Sequence, residues 1–206
     1  MMIIRYLLFA SVFVLINAGH YLIWLPTMSK SVKIGFMDVG HELAKRGHEV
    51  TVVTPFKSQT EVAGVREILV DSNFHEVTDA ITEEEFVKGN TFVMPIDIQI
   101  DVSIEDNRNA LRSGEVQEMF EAGKIDVLMT LPWFGNEASY FLAHKHNASL
   151  VIFMTSTFTT HFMSWAVGDP FNPAYVPSGM TGYSSRMTFS QRLANTLVTC
   201  LFYVVR

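Results

Sequence analysis

YLIWLPTMSKSVKIGFMDVGHELAKRGHEVTVVTPF, residues Tyr21 to Phe56, sets the architecture of this chain. Tyr21 to Leu25 is a short apolar run closed by Pro26, the pattern of a strand buried on both faces. The polar loop Thr27 to Ser31 leads into a helix expected over Lys33 to Arg46. Phe36, Gly40 and Leu43 share one face of that helix, with Met37 and Ala44 beside them. Gly47 falls where a left-handed C-cap is wanted, and Lys45 and Arg46 complement the helix dipole in the last turn. Val50 to Thr54 reads as the next strand, closed by Pro55. Strand, helix and strand within about thirty-five residues make one right-handed crossover unit.

The same alternation resumes downstream. Gly64 to Val70 is a candidate third strand. Asp71 to Asn109 shows no clean period, and its acidic run Glu83 to Glu85 has the character of a solvated helix start with no chemistry attached. Glu115 to Glu121 reads as a helix ended by Gly123, Ile125 to Thr130 as a strand, Glu137 to His146 as a helix and Leu150 to Met154 as a buried strand. Together these predict an α/β fold, a Rossmann-like, doubly wound parallel sheet with helices on both faces. Beyond it, Thr155 to Thr160 is hydroxyl-rich, and a loop with Pro170, Pro173 and Pro177 follows. Ser190 is expected to cap a last apolar helix, Gln191 to Val205, where the chain stops in mid-pattern as a truncated protein would.

The bulk properties narrow the function. With 206 residues, 49% hydrophobic and 17% charged, the chain suits one domain with a full core. A net charge of -6 without a Lys/Arg cluster argues against a nucleic-acid partner. The single cysteine, Cys200, excludes an internal disulfide and is expected to be buried. Residues 1–18 have the layout of a signal peptide: Arg5 as the positive region, the apolar run Tyr6 to Ile16, then Ala18 and Gly19 at a cleavage site. That run is too short to span a bilayer, which takes about 20 apolar residues. No later segment is long and apolar enough to anchor the chain.

Three segments resemble the UDP-glucuronosyltransferases and UDP-glycosyltransferases, most closely their insect members. They are LPTMSKSVKIGFMDVGHELAKRGHEVTVVTPF (Leu25–Phe56), KIDVLMTLPWFGNEASYFLAHKHNASLVIF (Lys124–Phe153) and FNPAYVPSGMTGYSSRMTFSQRLANTL (Phe171–Leu197). The resemblance covers nearly all of residues 19–206 and implies the N-terminal, acceptor-binding half of a two-domain GT-B type transferase. The family's C-terminal half, which grips UDP-glucose or UDP-glucuronic acid, and its membrane anchor have no counterpart in this sequence. The implied activity is transfer of a hexose to small lipophilic acceptors in the endoplasmic reticulum, in the manner of detoxification enzymes. UDP-sugar would be a co-substrate, with no metal or other cofactor. The resemblance also admits homo- or hetero-oligomers with related transferases, and the alternative of a non-catalytic lipophile-binding or partner module.

In such transferases a histidine at the mouth of the first helix removes the acceptor's proton, and an aspartate from the second half-sheet orients it. Counting back from Arg46-Gly47-His48 the histidine position falls on Val32, and through the strand after Asp126 the aspartate position falls on Leu131. Neither side chain can take a proton. Glu137, at the start of the following helix, is the candidate substitute. Lys30 and Lys33 flank Val32, but a lysine base would need its pKa lowered by several units. His20, His41 and His48 read as structural, and His144 and His146 stand on different helix faces, which speaks against a metal pair. Trp133, Phe134, Phe158, Phe162 and Met163 lie beyond strand ends and are the candidate acceptor contacts, with core packing as the alternative. The triplet Asn147-Ala148-Ser149 is a glycosylation sequon, but its place at the start of a strand read as buried argues against modification.

Overall fold

The computed structural model describes residues 18–74, 96–131, 135–154, 168, 172–179 and 181–205, with the side chains of 96, 97 and 202–205 set aside. Five parallel strands form one sheet in the order β3-β2-β1-β4-β5. They are β1 His20–Trp24, β2 Glu49–Thr54, β3 Val65–Leu69, β4 Val127–Thr130 and β5 Ser149–Ile152. The described helices are α1 Lys30–Lys45, α2 Ile96–Arg112, α3 Gly114–Ala122, α4 Tyr140–His146 and α5 Phe189–Val205, with a 3-10 turn at Asn136–Ser139 before α4. The chain builds outward from β1 to β2 and β3, then crosses back to place β4 on the other side of β1. That is the doubly wound arrangement expected from the alternation.

Because side chains alternate along a strand, β1 feeds two cores. Leu22 and Trp24 join Val53, Ile68 and Leu128 in a cluster closed by Val116 and Met119 of α3 and Leu142 and Ala143 of α4. Ile23 and Leu25 join Val50, Val52 and Met129 in a second cluster closed by Phe36 and Met37 of α1. Burying each such side chain contributes about 1.5–3 kcal/mol. α1 can lie this close to the sheet because Gly40 has no side chain; a Cβ there would stand 3.2 Å from Ile23 Cδ1 and 3.4 Å from Val50 Cγ1.

The end of α1 follows the sequence. Gly47 adopts φ +88°. The Gly47 amide donates to Ala44 O at 2.9 Å and the His48 amide to Leu43 O at 3.2 Å, the paired bonds of a Schellman closure. α4 closes with the same pattern, Asn147 donating to His144 O and Ala148 to Ala143 O. Asn147 there takes the left-handed conformation, with φ 51°.

Several expectations are corrected. α1 starts at Lys30, inside the segment read as loop, so Val32 sits in its first turn. α2 was hidden in the stretch without an apolar period because its buried stripe is polar: Gln99, Ser103, Asp106 and Asn107 recur at helical spacing and face inward with Ala110. α5 is capped by Thr188 and not by Ser190. The Thr188 hydroxyl accepts from Gln191 N and the Gln191 side chain accepts from Thr188 N, a reciprocal capping box. Cys200 is exposed on α5, not buried. β5 is an edge among the described strands, alternately exposed and half-buried, where a buried strand was expected. No described helix is long and apolar enough to cross a membrane. Of the segment read as a signal peptide, 1–18, residues 1–17 lie outside the described residues, as does the acidic run Glu83 to Glu85.

Candidate functional site

In an open parallel sheet, ligands bind beyond the carboxyl ends of the strands where the winding direction reverses. Here that point lies between β1 and β4. At this point stand Leu25 to Ser29 after β1, the first turn of α1, and Leu131 after β4. The described residues around it form an apolar cluster. Leu25, Met28 and Leu131 are buried in the α1-side cluster, and Val32, Phe153 and Met154 pack against it half-buried. The Phe153 ring meets Phe36 edge-on, centroids 4.9 Å apart. The two positions identified from the sequence, Val32 and Leu131, are therefore brought into one apolar cluster.

Glu137 stands in the 3-10 turn that follows β4. Its Oε2 accepts the Gly135 amide at 2.9 Å, within the 3-10 turn that packs against α2 and α4. Trp133, Phe134, Phe158, Phe162 and Met163 lie outside the described residues. His20 and His48 are at the opposite, amino end of the strands. His20 Nε2 pairs with Thr51 Oγ1 at 2.8 Å, and His48 Nδ1 accepts the Gly19 amide at 3.1 Å. His146, at the end of α4, stacks on Phe120; burial, with the charge of Lys145 adding, holds its imidazole below the usual histidine range. Among the described residues no cluster of His, Cys, Asp or Glu is arranged to hold a metal.

Two buried polar networks that sequence reasoning did not foresee stand near the switch point, one around Lys33 and one around Asp106. Lys33, next to Val32, turns its ammonium onto Glu67 Oε1 at 2.7 Å and donates to the Phe56 carbonyl. Burial pushes the Glu67 carboxyl up, but hydrogen bonds from Lys33 and Ser58 outweigh it and hold the group below its ordinary value. Asp106, fully buried on α2, accepts from Asn73 N at 2.8 Å, Ser72 Oγ at 2.5 Å and Thr27 Oγ1 at 3.2 Å. It thereby ties the loops after β1 and β3 together. Its neighbour Asn107 accepts from Trp24 Nε1 at 2.8 Å and donates to Asn136 Oδ1 at 2.9 Å. The signal for this layer was the polar spacing on α2 itself, legible only when read as a face. A cavity of about 450 Å³ opens beside β3, lined by Met37, Lys57, Glu61, Val62, Glu67 and Leu69. It lies across β2 from the switch point.

A third structural unit concerns the Pro-rich loop. Asn195 of α5 is fully buried; its Oδ1 accepts from Ser178 N at 2.7 Å, and its Nδ2 donates to Pro173 O at 2.8 Å and Val176 O at 2.9 Å. The segments Asn172-Pro173-Ala174-Tyr175-Val176-Pro177 and Asn195-Thr196-Leu197 are thus one hydrogen-bonded unit.

The fold defines an α/β protein with a doubly wound parallel sheet and a topological switch point between β1 and β4. The family model described as UDP-glucoronosyl and UDP-glucosyl transferase matches residues 19–205, and the chain belongs to this family. It is 26% identical to the UDP-glycosyltransferase UGT5 of Dactylopius coccus, over 99% of this chain and 39% of that protein. It is 25% identical to the UDP-glucuronosyltransferase 2B33 of Macaca mulatta, over 90% of this chain and 38% of that protein. The chain therefore spans about two-fifths of the length of these relatives. Among solved structures it is similar to CalG4, the calicheamicin glycosyltransferase, with TM-score 0.47 and 21% identity over 78% of this chain and 40% of that one. It is also similar to apo UGT2 of Phytolacca americana, with TM-score 0.45 and 15% identity over 88% of this chain and 43% of that one.

Proposed function

We propose that this chain is the acceptor-binding half of a UDP-glycosyltransferase of the endoplasmic reticulum. It holds a small lipophilic alcohol, phenol or acid while a hexose, glucose or glucuronic acid, arrives from a UDP-sugar gripped mainly by a second domain. The observation that carries this reading is the apolar cluster at the β1/β4 switch point, where Leu25, Met28 and Leu131 are buried and Val32 packs against them half-buried. Such a setting favours a lipophile by burying its apolar surface, at about 25 cal/mol per Å². Arg5 and the apolar run Tyr6 to Ile16 support passage into the secretory pathway, with cleavage near Ala18 or Gly19.

In the transfer, the acceptor oxygen attacks the anomeric carbon, UDP leaves with the bonding electrons, and the acceptor's proton passes to a base. Valine and leucine offer that proton no lone pair, and a missing general base costs roughly 10²–10⁴-fold in rate. The pair Val32 and Leu131 therefore favours a second reading, a lumenal module that binds lipophiles or a related transferase without catalysing transfer. Calorimetry on the chain separates acceptor from donor binding. Heat on titrating a naphthol, with none for UDP-glucose at micromolar concentrations, is expected. UDP-glucose binding without naphthol binding would sink the proposal.

A further inference from the structure

We infer that Asn147 is an N-glycosylation site, an inference that rests on the proposed passage into the secretory pathway. Asn147-Ala148-Ser149 is the one Asn-X-Ser/Thr triplet of the sequence, and its middle residue is not proline. The sequence-level objection was burial, and the structure removes it. Asn147 and Ser149 are both exposed, in the tight turn between α4 and β5. Ser149 opens an edge strand whose residues alternate between exposed and half-buried.

The backbone of this turn is fixed without the asparagine side chain. Its amides close α4 onto His144 and Ala143, and Ser149 N donates to Asp126 O at 2.8 Å. The Asn147 carboxamide makes no hydrogen bond among the described residues, so a substituent on Nδ2 breaks nothing. In the modification, Nδ2 displaces a lipid-linked diphosphate from the anomeric carbon of an oligosaccharide donor. A C–N bond forms, the sugar–phosphate C–O bond breaks, the diphosphate leaves with the electron pair, and an amide proton passes to the transferring enzyme.

The location suits a bulky sugar. The turn lies at the amino end of β5, level with Val127 at the start of β4, whereas Val32 and Leu131 lie beyond the carboxyl ends. A glycan on Asn147 therefore stands away from the switch-point cluster and flanks β5, an edge among the described strands, a place where pairing with other chains is a hazard.

The test is translation of the full 206-residue chain in the presence of microsomes, with two independent readouts. Protease protection and leader removal report translocation; a mobility increment sensitive to peptide N-glycosidase reports the glycan. The expected result is a protected chain with a single sensitive increment. That increment disappears in Asn147→Asp, which keeps a residue tolerant of the left-handed turn, and in Ser149→Ala, and it persists in Ser149→Thr. A protected chain without the increment, or with an increment that survives Ser149→Ala, overturns the glycan and leaves the targeting reading standing. A chain left outside the vesicles overturns the targeting reading. Residues 19–206 behind an unrelated cleavable leader then decide the site by the same increment.

Discussion

Val32 and Leu131 are separated by about a hundred residues of sequence, yet each was located by counting from a neighbouring motif, and the structure sets both in one cluster. Both positions were carried over from the resemblance to the family, not supplied by spacing alone. What spacing could not show is the residue next door. Lys33 reads as a polar residue at a helix start, but its side chain enters the buried face and meets Glu67, which stands on β3, the strand beyond β2. Such a pair is a product of topology, invisible until β3 is placed. Its removal is testable. Glu67→Gln leaves the Lys33 ammonium buried without its counter-charge, and a loss of about 2 kcal/mol is expected at pH 7, below the roughly 3–5 kcal/mol of a fully buried pair. The folded Glu67 carboxyl titrates below its ordinary value of 4.5. Its contribution is therefore complete above that value and is lost as pH falls through the folded one. Urea unfolding of parent and variant should differ at neutral pH and converge in acid. Equal stability at pH 7 would show that the pair contributes nothing.

At the scale of elements, the strands and α1 were legible because their patterns are driven by apolar burial and by one glycine cap. α2 was not, since Gln99, Ser103, Asp106 and Asn107 fill its inward face with hydrogen-bonding groups, and an apolar period cannot detect a polar core. Cys200 was misplaced for a related reason: α5 is apolar over more than one face, leaving Phe189, Leu193, Leu197 and Leu201 exposed, so hydrophobicity alone did not say which side is buried. α5 also gives the clearest element-scale prediction. Asn195 satisfies the loop groups of Pro173, Val176 and Ser178 at once, so Asn195→Ala removes one buried and two part-buried hydrogen bonds, and a loss of about 1–3 kcal/mol in all is expected. The expected outcome is a lower melting temperature together with faster amide exchange at Ser178 and Thr181. Unchanged exchange at Ser178 would mean that the loop is held by something other than this helix.

Across the whole molecule, the sheet order places the switch point between β1 and β4, and Val32 and Leu131 join one apolar cluster there; on the proposed reading they stand where the family's base and its carboxylate would be. An apolar pair there suits the fold, because no charge is buried. On the proposed reading the deficit is chemical and local. The most direct measurement is turnover of a naphthol by this chain joined to the UDP-sugar-binding domain of a family member, compared with its Val32→His, Leu131→Asp and double variants. Leu131 is 2% exposed, so Leu131→Asp alone should destabilise the fold and add no rate. Val32→His alone should recover part of the roughly 10²–10⁴-fold that a general base supplies. The double variant should exceed the product of the single effects, because the imidazole and its orienting carboxylate act as a unit. A parent fusion that turns over as fast as the double variant would contradict the account and place the base on another residue, with Glu137→Gln the variant to identify it.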